Sequence, residues 1–330
     1  RGGEGRGDDR GTGAGAARGR GRGGTGWVQA EKLTASDGVA GDKFGAGVVV
    51  TGWLAWVGGP RNDALAKDAG AAYLFSRSGT AWSQQAKITA ADGAASDHFG
   101  SVAAIDSSTF LIGAYLDDDK GKDSGSVYFF SRCKGTVSYP QRAKLTASDG
   151  SVGAYFGRYI TLDSDTALFG AASDSGKGAA YVFTRGGSYW SQQAKLTSHD
   201  GAKGDLFGAA LALDSGVALV GANISSTEAG AAGGAYVFSR SGTTWSQLQK
   251  LTSSDLSGGD KFGSAAALDG ALALIGARQD SSRATQAGTA YVFSRSGTVW
   301  SQETELTAYD GAKSDEFGAH VALDNPTALV

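Results

Sequence analysis

FGAALALDSGVALVGA, residues 207–222, decides the fold. Two short apolar runs, Phe207–Leu213 and Ala218–Ala222, flank Leu213-Asp214-Ser215-Gly216, where Asp and Gly relieve a tight hairpin turn. Gly234–Arg240 and Trp245–Thr252 follow, rich in Val, Phe, Tyr and Trp and bounded by Gly, Ser, Asp and Asn, the pattern of strands and turns. No run of helical period fits between the turn signals. Four consecutive antiparallel strands make a meander.

The same unit recurs along the chain. Phe-Gly pairs begin at Phe44, Phe99, Phe156, Phe207, Phe262 and Phe317, spaced 55, 57, 51, 55 and 55 residues apart. Trp27, Trp82, Tyr139, Trp190, Trp245 and Trp300 each precede their Phe by 17 residues, and Gly58, Gly113, Gly170, Gly221 and Gly276 each follow one by 14. Tyr73, Tyr128, Tyr181, Tyr236 and Tyr291 open the third strand as YLFSR, YFFSR, YVFTR, YVFSR and YVFSR. Length varies only from the Gly to the Tyr and from the Tyr to the next aromatic, so those segments are loops. A four-stranded meander repeating at about 50 residues predicts an all-β fold, a β-propeller of four-stranded antiparallel blades. The units fall near 27–81, 82–138, 139–189, 190–244, 245–299 and 300–330. Counting strands gives 23, with Trp27–Thr34 available as the fourth strand of a last blade. Six blades need one more, so the expectation is five complete blades and a partial sixth, a fragment of a larger ring. Phe44–Pro60 is long and uncharged, but it sits in register with the first two strands of every other unit and is not a membrane span.

The Phe-Gly and Gly-Ala marks, with KLTxxDG and YVFxR between them, resemble the FG-GAP repeats of integrin-α-like β-propellers across Trp27–Val330. The resemblance implies a non-enzymatic extracellular or cell-surface module of the adhesion type that binds a protein or glycan, often with Ca²⁺. The alternative it leaves is the propeller domain of a carbohydrate-active or other hydrolytic enzyme. Relatives hold Ca²⁺ in an Asp-rich loop between the FG and GA marks. Here little beyond a first Asp remains in that turn (Asp106, Asp163, Asp214, Asp269, Asp324); the third unit, with Asp163 and Asp165, comes nearest and still offers too few oxygens for an ion that wants six to eight.

Composition narrows the rest. Of 330 residues 53 are Gly and 41% are apolar, enough for a core, and the net charge is −3. That balance argues against nucleic-acid binding by the repeats. A single cysteine, Cys133, excludes a disulfide framework. Residues 1–26 hold 12 Gly and 6 Arg and no large apolar side chain, so they are expected to be a disordered Gly/Arg-rich tail. RG-rich tails can bind RNA, and Arg6-Gly7-Asp8 spells an integrin-read tripeptide; low-complexity sequence without function is the plainer reading of both.

Strand alternation places the loop between strands two and three on the same side as the connection into the next unit. That side carries RNDALAKDA, YLDDDKGKDS, SDSGK, NISSTEAGAA and RQDSSRATQA, together with the recurrent DGxxxD segment, and is expected to be an acidic ligand face. Its candidate contacts are Asp63, Asp68, Asp92, Asp97, Asp174, Asn223, Glu228 and Asp280. Capping of nearby amides is the plainer reading of the paired aspartates. Asp117, Asp118, Asp119 and Asp123 form the one loop dense enough in carboxylates to be considered for Ca²⁺; no other cofactor is expected. Asn223-Ile224-Ser225 is an acceptor sequon, and His98, His199 and His320 sit at unrelated phases that suggest no catalytic set.

Overall fold

The computed structural model describes residues 14–18, 28–106, 109–132, 138–225 and 231–330. Its architecture is all-β and propeller-type, with one short 3₁₀ turn among the described residues, at Asp174–Gly176. β1 (Ala14–Arg18) pairs antiparallel with β2 (Val28–Leu33). Blade one comprises β3 (Val48–Thr51), β4 (Leu54–Gly59), β5 (Ala71–Ser78) and β6 (Ala81–Ile88). Blade two comprises β7 (Ala103–Ile105), β8 (Thr109–Ala114), β9 (Ser126–Ser131) and β10 (Gln141–Leu145). Blade three holds β11 (Tyr159–Asp163), β12 (Thr166–Ala171), β13 (Ala179–Gly186) and β14 (Tyr189–Leu196). Blade four holds β15 (Phe207–Asp214), β16 (Val217–Ala222), β17 (Gly234–Ser241) and β18 (Thr244–Leu251). Blade five holds β19 (Phe262–Asp269), β20 (Leu272–Ala277), β21 (Thr289–Ser296) and β22 (Val299–Leu306), and β23 (Ala322–Asp324) pairs with β24 (Thr327–Leu329). Every blade is a meander in chain order.

The strands of the fourth unit agree with the sequence reading to within one residue at each end. The segment around Trp27–Thr34 does form a strand, and its partner is β1, within the stretch expected to be disordered. The remainder of residues 1–26 lies outside the described residues, as do Trp27 and Cys133.

The described residues form two compact units, one running to Asp117 and including Val127–Lys144, the other joining Asp118–Ser126 to Leu145–Val330. In each unit the second strands β4, β8 and β16 are buried on both faces, which is why they read as continuous apolar runs. The outermost strand β18 alternates exposed and partly buried positions.

Neighbouring blades meet through backbone. A Cβ on Gly58 would lie 1.8 Å from the carbonyl oxygen of Gly100, and on Gly170, 2.3 Å from that of Gly208. One residue earlier in each Phe-Gly pair, Phe99, Phe207, Phe262 and Phe317 form isolated parallel bridges to Gly70, Gly178, Gly233 and Gly288 of the preceding blade. The Phe rings then pack edge-on against the third strand of their own blade; Phe99 lies 5.4 Å from Tyr128 and 5.9 Å from Phe130. Trp56 is fully buried beside Phe99 in the core of the first unit. Trp53 is exposed beneath the Arg132 guanidinium.

The first-turn aspartates fasten one blade to the next. Asp163 Oδ2 accepts from the amide of Ser215 at 2.8 Å, Asp214 Oδ2 from that of Gly270 at 2.7 Å, and Asp269 Oδ2 from that of Asn325 at 2.6 Å. Each of these carboxylates thus spends one oxygen on an amide of the following blade. Asp214→Ala is expected to cost about 1 kcal/mol in urea unfolding and Asp214→Asn less, because the amide oxygen still accepts. Equal losses for the two would show that the acceptor is not what matters.

Candidate functional site

The buried tyrosines that open the third strands organise the loop side. A phenol removed from water needs a partner for its hydroxyl, and in each blade that partner is an acid or amide from a loop. In blade three, Tyr181 Oη lies 2.8 Å from Asp149 Oδ1 and 3.2 Å from Asp174 Oδ2, while Lys195 Nζ, from β14, reaches Asp149 Oδ2 and Asp174 Oδ2, each at 2.6 Å. The same ammonium sits 5.2 Å from the Tyr181 ring centroid. In blade two Tyr128 donates to Asp117 Oδ2 at 3.0 Å, and Lys144 Nζ stands 2.9 Å from Asp92 and 2.7 Å from Asp117.

Blades one and four are variations. Asn62 takes the inner acid's place in blade one, donating from Nδ2 to Asp42 Oδ2 at 2.9 Å and to Tyr73 Oη at 3.1 Å, while Lys87 pairs with Asp37. In blade four Tyr236 donates to Asp200 at 2.9 Å, Lys250 pairs with Asp200, and buried Ser225 holds the inner position. Blade five departs: Tyr291 Oη lies 3.3 Å from both Asp255 and Asp280, and Glu305 stands at the lysine position.

The electrostatics follow from this packing. Burial raises the carboxyl pKa of Asp37, Asp92, Asp149 and Asp200. In each, hydrogen bonds from the neighbouring lysine and tyrosine and the lysine charge outweigh it, holding the group below the usual carboxylate range. Burial, with acidic neighbours, pushes the tyrosine hydroxyls of all five blades up. Burial works to lower Lys195, but the hydrogen bonds it donates to Asp149, Asp174 and Tyr181 raise it. These groups are fixed partners and not free acids or bases.

The candidate ligand-face residues divide accordingly. Asp97, Asp174 and Asp280 are buried. Asp97 caps the amide of Ala94, as Asp42, Asp205, Asp260 and Asp315 cap those of Val39, Ala202, Ser257 and Ala312. Asp280 accepts from the Ser282 amide and from the Thr289 hydroxyl. Asp92 remains half exposed on its lysine. Asn223 is partly buried, its Oδ1 without a hydrogen-bond partner among the described residues, and Ser225 of its sequon is fully buried. Glu228 lies outside the described residues.

Asp63 and Asp68 belong to a recurring loop frame. The residue after the inner anchor accepts from the amide five positions on: Asp63 from Asp68 at 2.7 Å, Asp118 from Asp123 at 2.7 Å, and Ser281 Oγ from Gln286 at 3.0 Å. The amide-bearing residues share a left-handed φ of 55–56°. Of the acidic loop, Asp117 thus serves Tyr128 and Lys144, Asp118 and Asp123 serve the frame, and Asp119 forms a bridge to Gly121. Among the described residues no three His, Cys, Asp or Glu side chains are grouped so as to hold a metal ion.

Two further features complete the loop side. His98 Nδ1 lies 3.2 Å from Tyr115 Oη; burial and the Arg61 charge hold the imidazole below its usual pKa, opposed by Asp68. A shallow groove of about 290 Å³ is lined by Lys195, His199, Phe238, Trp245 and Gln247 among others. Its polar groups are largely engaged, Trp245 Nε1 with Gln193 and Gln247 Oε1 with the His199 amide.

The sequence reading missed the tyrosine–lysine–carboxylate clusters. Their signal was present: Lys87, Lys195, Lys250 and Glu305 each stand 14 residues after their Tyr. The aromatic that opens the fourth strand stacks within its own hairpin, Arg77, Arg185 and Arg295 lying over Trp82, Trp190 and Trp300.

A sequence profile described as FG-GAP repeat matches six segments, 27–75, 82–130, 139–183, 190–238, 245–293 and 300–330. No curated protein matches the chain.

Proposed function

Because the chain belongs to the FG-GAP repeat family, we propose that it is a non-enzymatic binding module of the adhesion type, displayed outside the cell, that offers the loops between second and third strands to a protein or glycan ligand. One observation carries this reading: the loops of blades one, two, three and five are each locked at the base, and their tips differ. The base is the inner anchor, Asn62, Asp117 or Asp280, standing 11 residues before its tyrosine, or Asp174 standing 7 before. Above the recurring frame the tips read Ala64-Leu65-Ala66-Lys67, Asp119-Lys120-Gly121-Lys122 and Ser282-Arg283-Ala284-Thr285. Rigid bases with varied tips lower the ordering cost of binding while leaving specificity to the tips. Among the described residues no helix is long and apolar enough to cross a membrane.

The test uses a printed glycan array and a displayed random-peptide library, both probed with the intact chain. Replacing the tips at 64–67, 119–122 and 282–285 with Gly-Ser, frame residues kept, is expected to leave the thermal transition in place and weaken the selected ligands by about tenfold or more, about 1.4 kcal/mol. Selected ligands that bind all three tip variants with unchanged affinity would overturn the proposal.

A further inference from the structure

We propose that blade five is an acid-strengthened element in a chain whose other blades are acid-weakened, and that the loop it anchors, residues 278–287, is held more firmly as the pH falls from neutral. The argument begins at one position. Lys87, Lys144, Lys195 and Lys250 place an ammonium against the loop carboxylates of blades one to four, at 2.5–2.9 Å from Asp37, Asp92, Asp149 and Asp200. Blade five has Glu305 there, on β22, so a carboxyl replaces the ammonium while both acids of the cluster are retained.

The groups that face it come from four elements. Asp255 and Asp260 lie on the connection from β18 to β19, Asp280 and Arg283 on the loop between β20 and β21, Tyr291 on β21, and Glu305 itself on β22. Arg283 is the one cation of this set, and its Nη1 is spent on the carbonyls of Ala308 and Tyr309, 3.2 and 3.4 Å away. Tyr291 can donate its single proton to only one of the two aspartates at a time. Glu305 is the direct cross-strand partner of Tyr291, as Lys87, Lys195 and Lys250 are of Tyr73, Tyr181 and Tyr236, so the cluster gathers three carboxyls around one phenol with no ammonium among them.

The direction of the titration agrees. Glu305 is exposed, yet partial desolvation raises its carboxyl, the neighbouring Asp255 and the charge of Asp280 raise it further, and Arg283 only partly opposes them. Burial raises Asp260 as well, the Ser257 amide opposes it, and the charges of Asp280 and Asp255 add to the rise. A carboxyl whose folded pKa lies above its unfolded value penalises the fold while ionised; that penalty is relieved as pH drops through the folded pKa, before the unfolded chain takes up the same proton. Asp37, Asp92, Asp149 and Asp200 run the opposite way. Their stabilisation is present above the unfolded carboxylate value and is lost as pH falls through their lowered folded values. Asp280 is both a member of the cluster and the anchor of its loop, so relief of repulsion reaches residues 278–287 directly.

Hydrogen exchange of the intact chain, followed by mass spectrometry at about pH 7 and about pH 5 and corrected for intrinsic exchange, tests this. Peptides spanning 278–306 are expected to gain protection by about threefold to tenfold on acidification. Peptides spanning 173–196, with Lys195 in place, should hold steady or lose protection. Glu305→Lys is expected to abolish the gain in 278–306 and to protect that segment at neutral pH at least as well as the acidified parent chain. Glu305→Gln, which removes the charge without supplying an ammonium, should flatten the pH response; it serves as the reading if the lysine variant fails to fold. Acid-induced loss of protection in 278–306 of the parent chain, or a full acid gain persisting in either variant, would overturn the proposal.

Discussion

Gly221→Ala is expected to destabilise the chain by about 3 kcal/mol, at the upper end of what overpacking usually costs, although it adds one methyl group. A Cβ at this position would lie 2.1 Å from the carbonyl oxygen and 3.0 Å from the carbonyl carbon of Gly263, and 3.0 Å from Ala210 Cβ. The obstructing atom is backbone and cannot swing aside. Gly263 cannot retreat either: it has φ +83°, and its own missing Cβ would meet the Gly234 carbonyl oxygen at 2.3 Å. The interface between blades four and five is thus a stack of main chains in which no layer has room for a side chain. Gly276→Ala, facing the Gly318 oxygen at 1.9 Å, should behave alike. Gly186→Ala is the control, since nothing lies within 4 Å of its Cβ position and its φ is not left-handed; it should fall within about 0.5 kcal/mol of the parent chain. Urea unfolding followed by tryptophan fluorescence gives the comparison. Losses for Gly221→Ala no larger than for Gly186→Ala would mean that the blades do not meet through these glycines.

That interface shows where sequence reading succeeds and where it stops. The recurrence of Phe, Gly and Tyr at fixed intervals located the strands and the variable loops, because apolar periodicity and turn chemistry are local properties. The glycine after each Phe was legible as a mark recurring in all six units. That neighbouring blades approach each other through these main chains depends on packing between residues about 40 apart and leaves no local mark. The acids show the same limit more sharply. Asp174 and Asp280 read as exposed because a carboxylate in a polar loop ordinarily is, yet both are buried, since a tyrosine and, for Asp174, a lysine arrive from other strands to satisfy them. Asp163, Asp214 and Asp269 looked like remnants of an ion-binding loop, and their partners are amides in the following blade.

Lys195→Ala is expected to cost about 3 kcal/mol, against about 1 kcal/mol or less for Lys87→Ala, although both lysines occupy the same register of the fourth strand. Lys87 bonds one carboxylate, that of Asp37, whose side chain is 46% exposed and regains water when the ammonium is removed. Lys195 bridges two, and Asp174 is only 2% exposed. Without the ammonium Asp174 keeps hydrogen bonds from Tyr181 and Ser151 but no countercharge, and stranding a buried carboxylate costs about 3–5 kcal/mol. The lower end applies because Lys195 is itself 28% exposed and Asp149 about half exposed. The pH dependence carries a second signature. Lys195 helps hold the folded Asp149 carboxyl below its ordinary value, so the stabilisation is complete above the unfolded carboxylate range and fades as pH falls through the folded one. The gap between the parent chain and Lys195→Ala must therefore narrow in acid. Urea unfolding at neutral and acid pH measures both effects. Equal losses for the two lysines would place the weight of the cluster on the tyrosine hydroxyl, and a gap that stays constant with pH would remove the ion pair from the account.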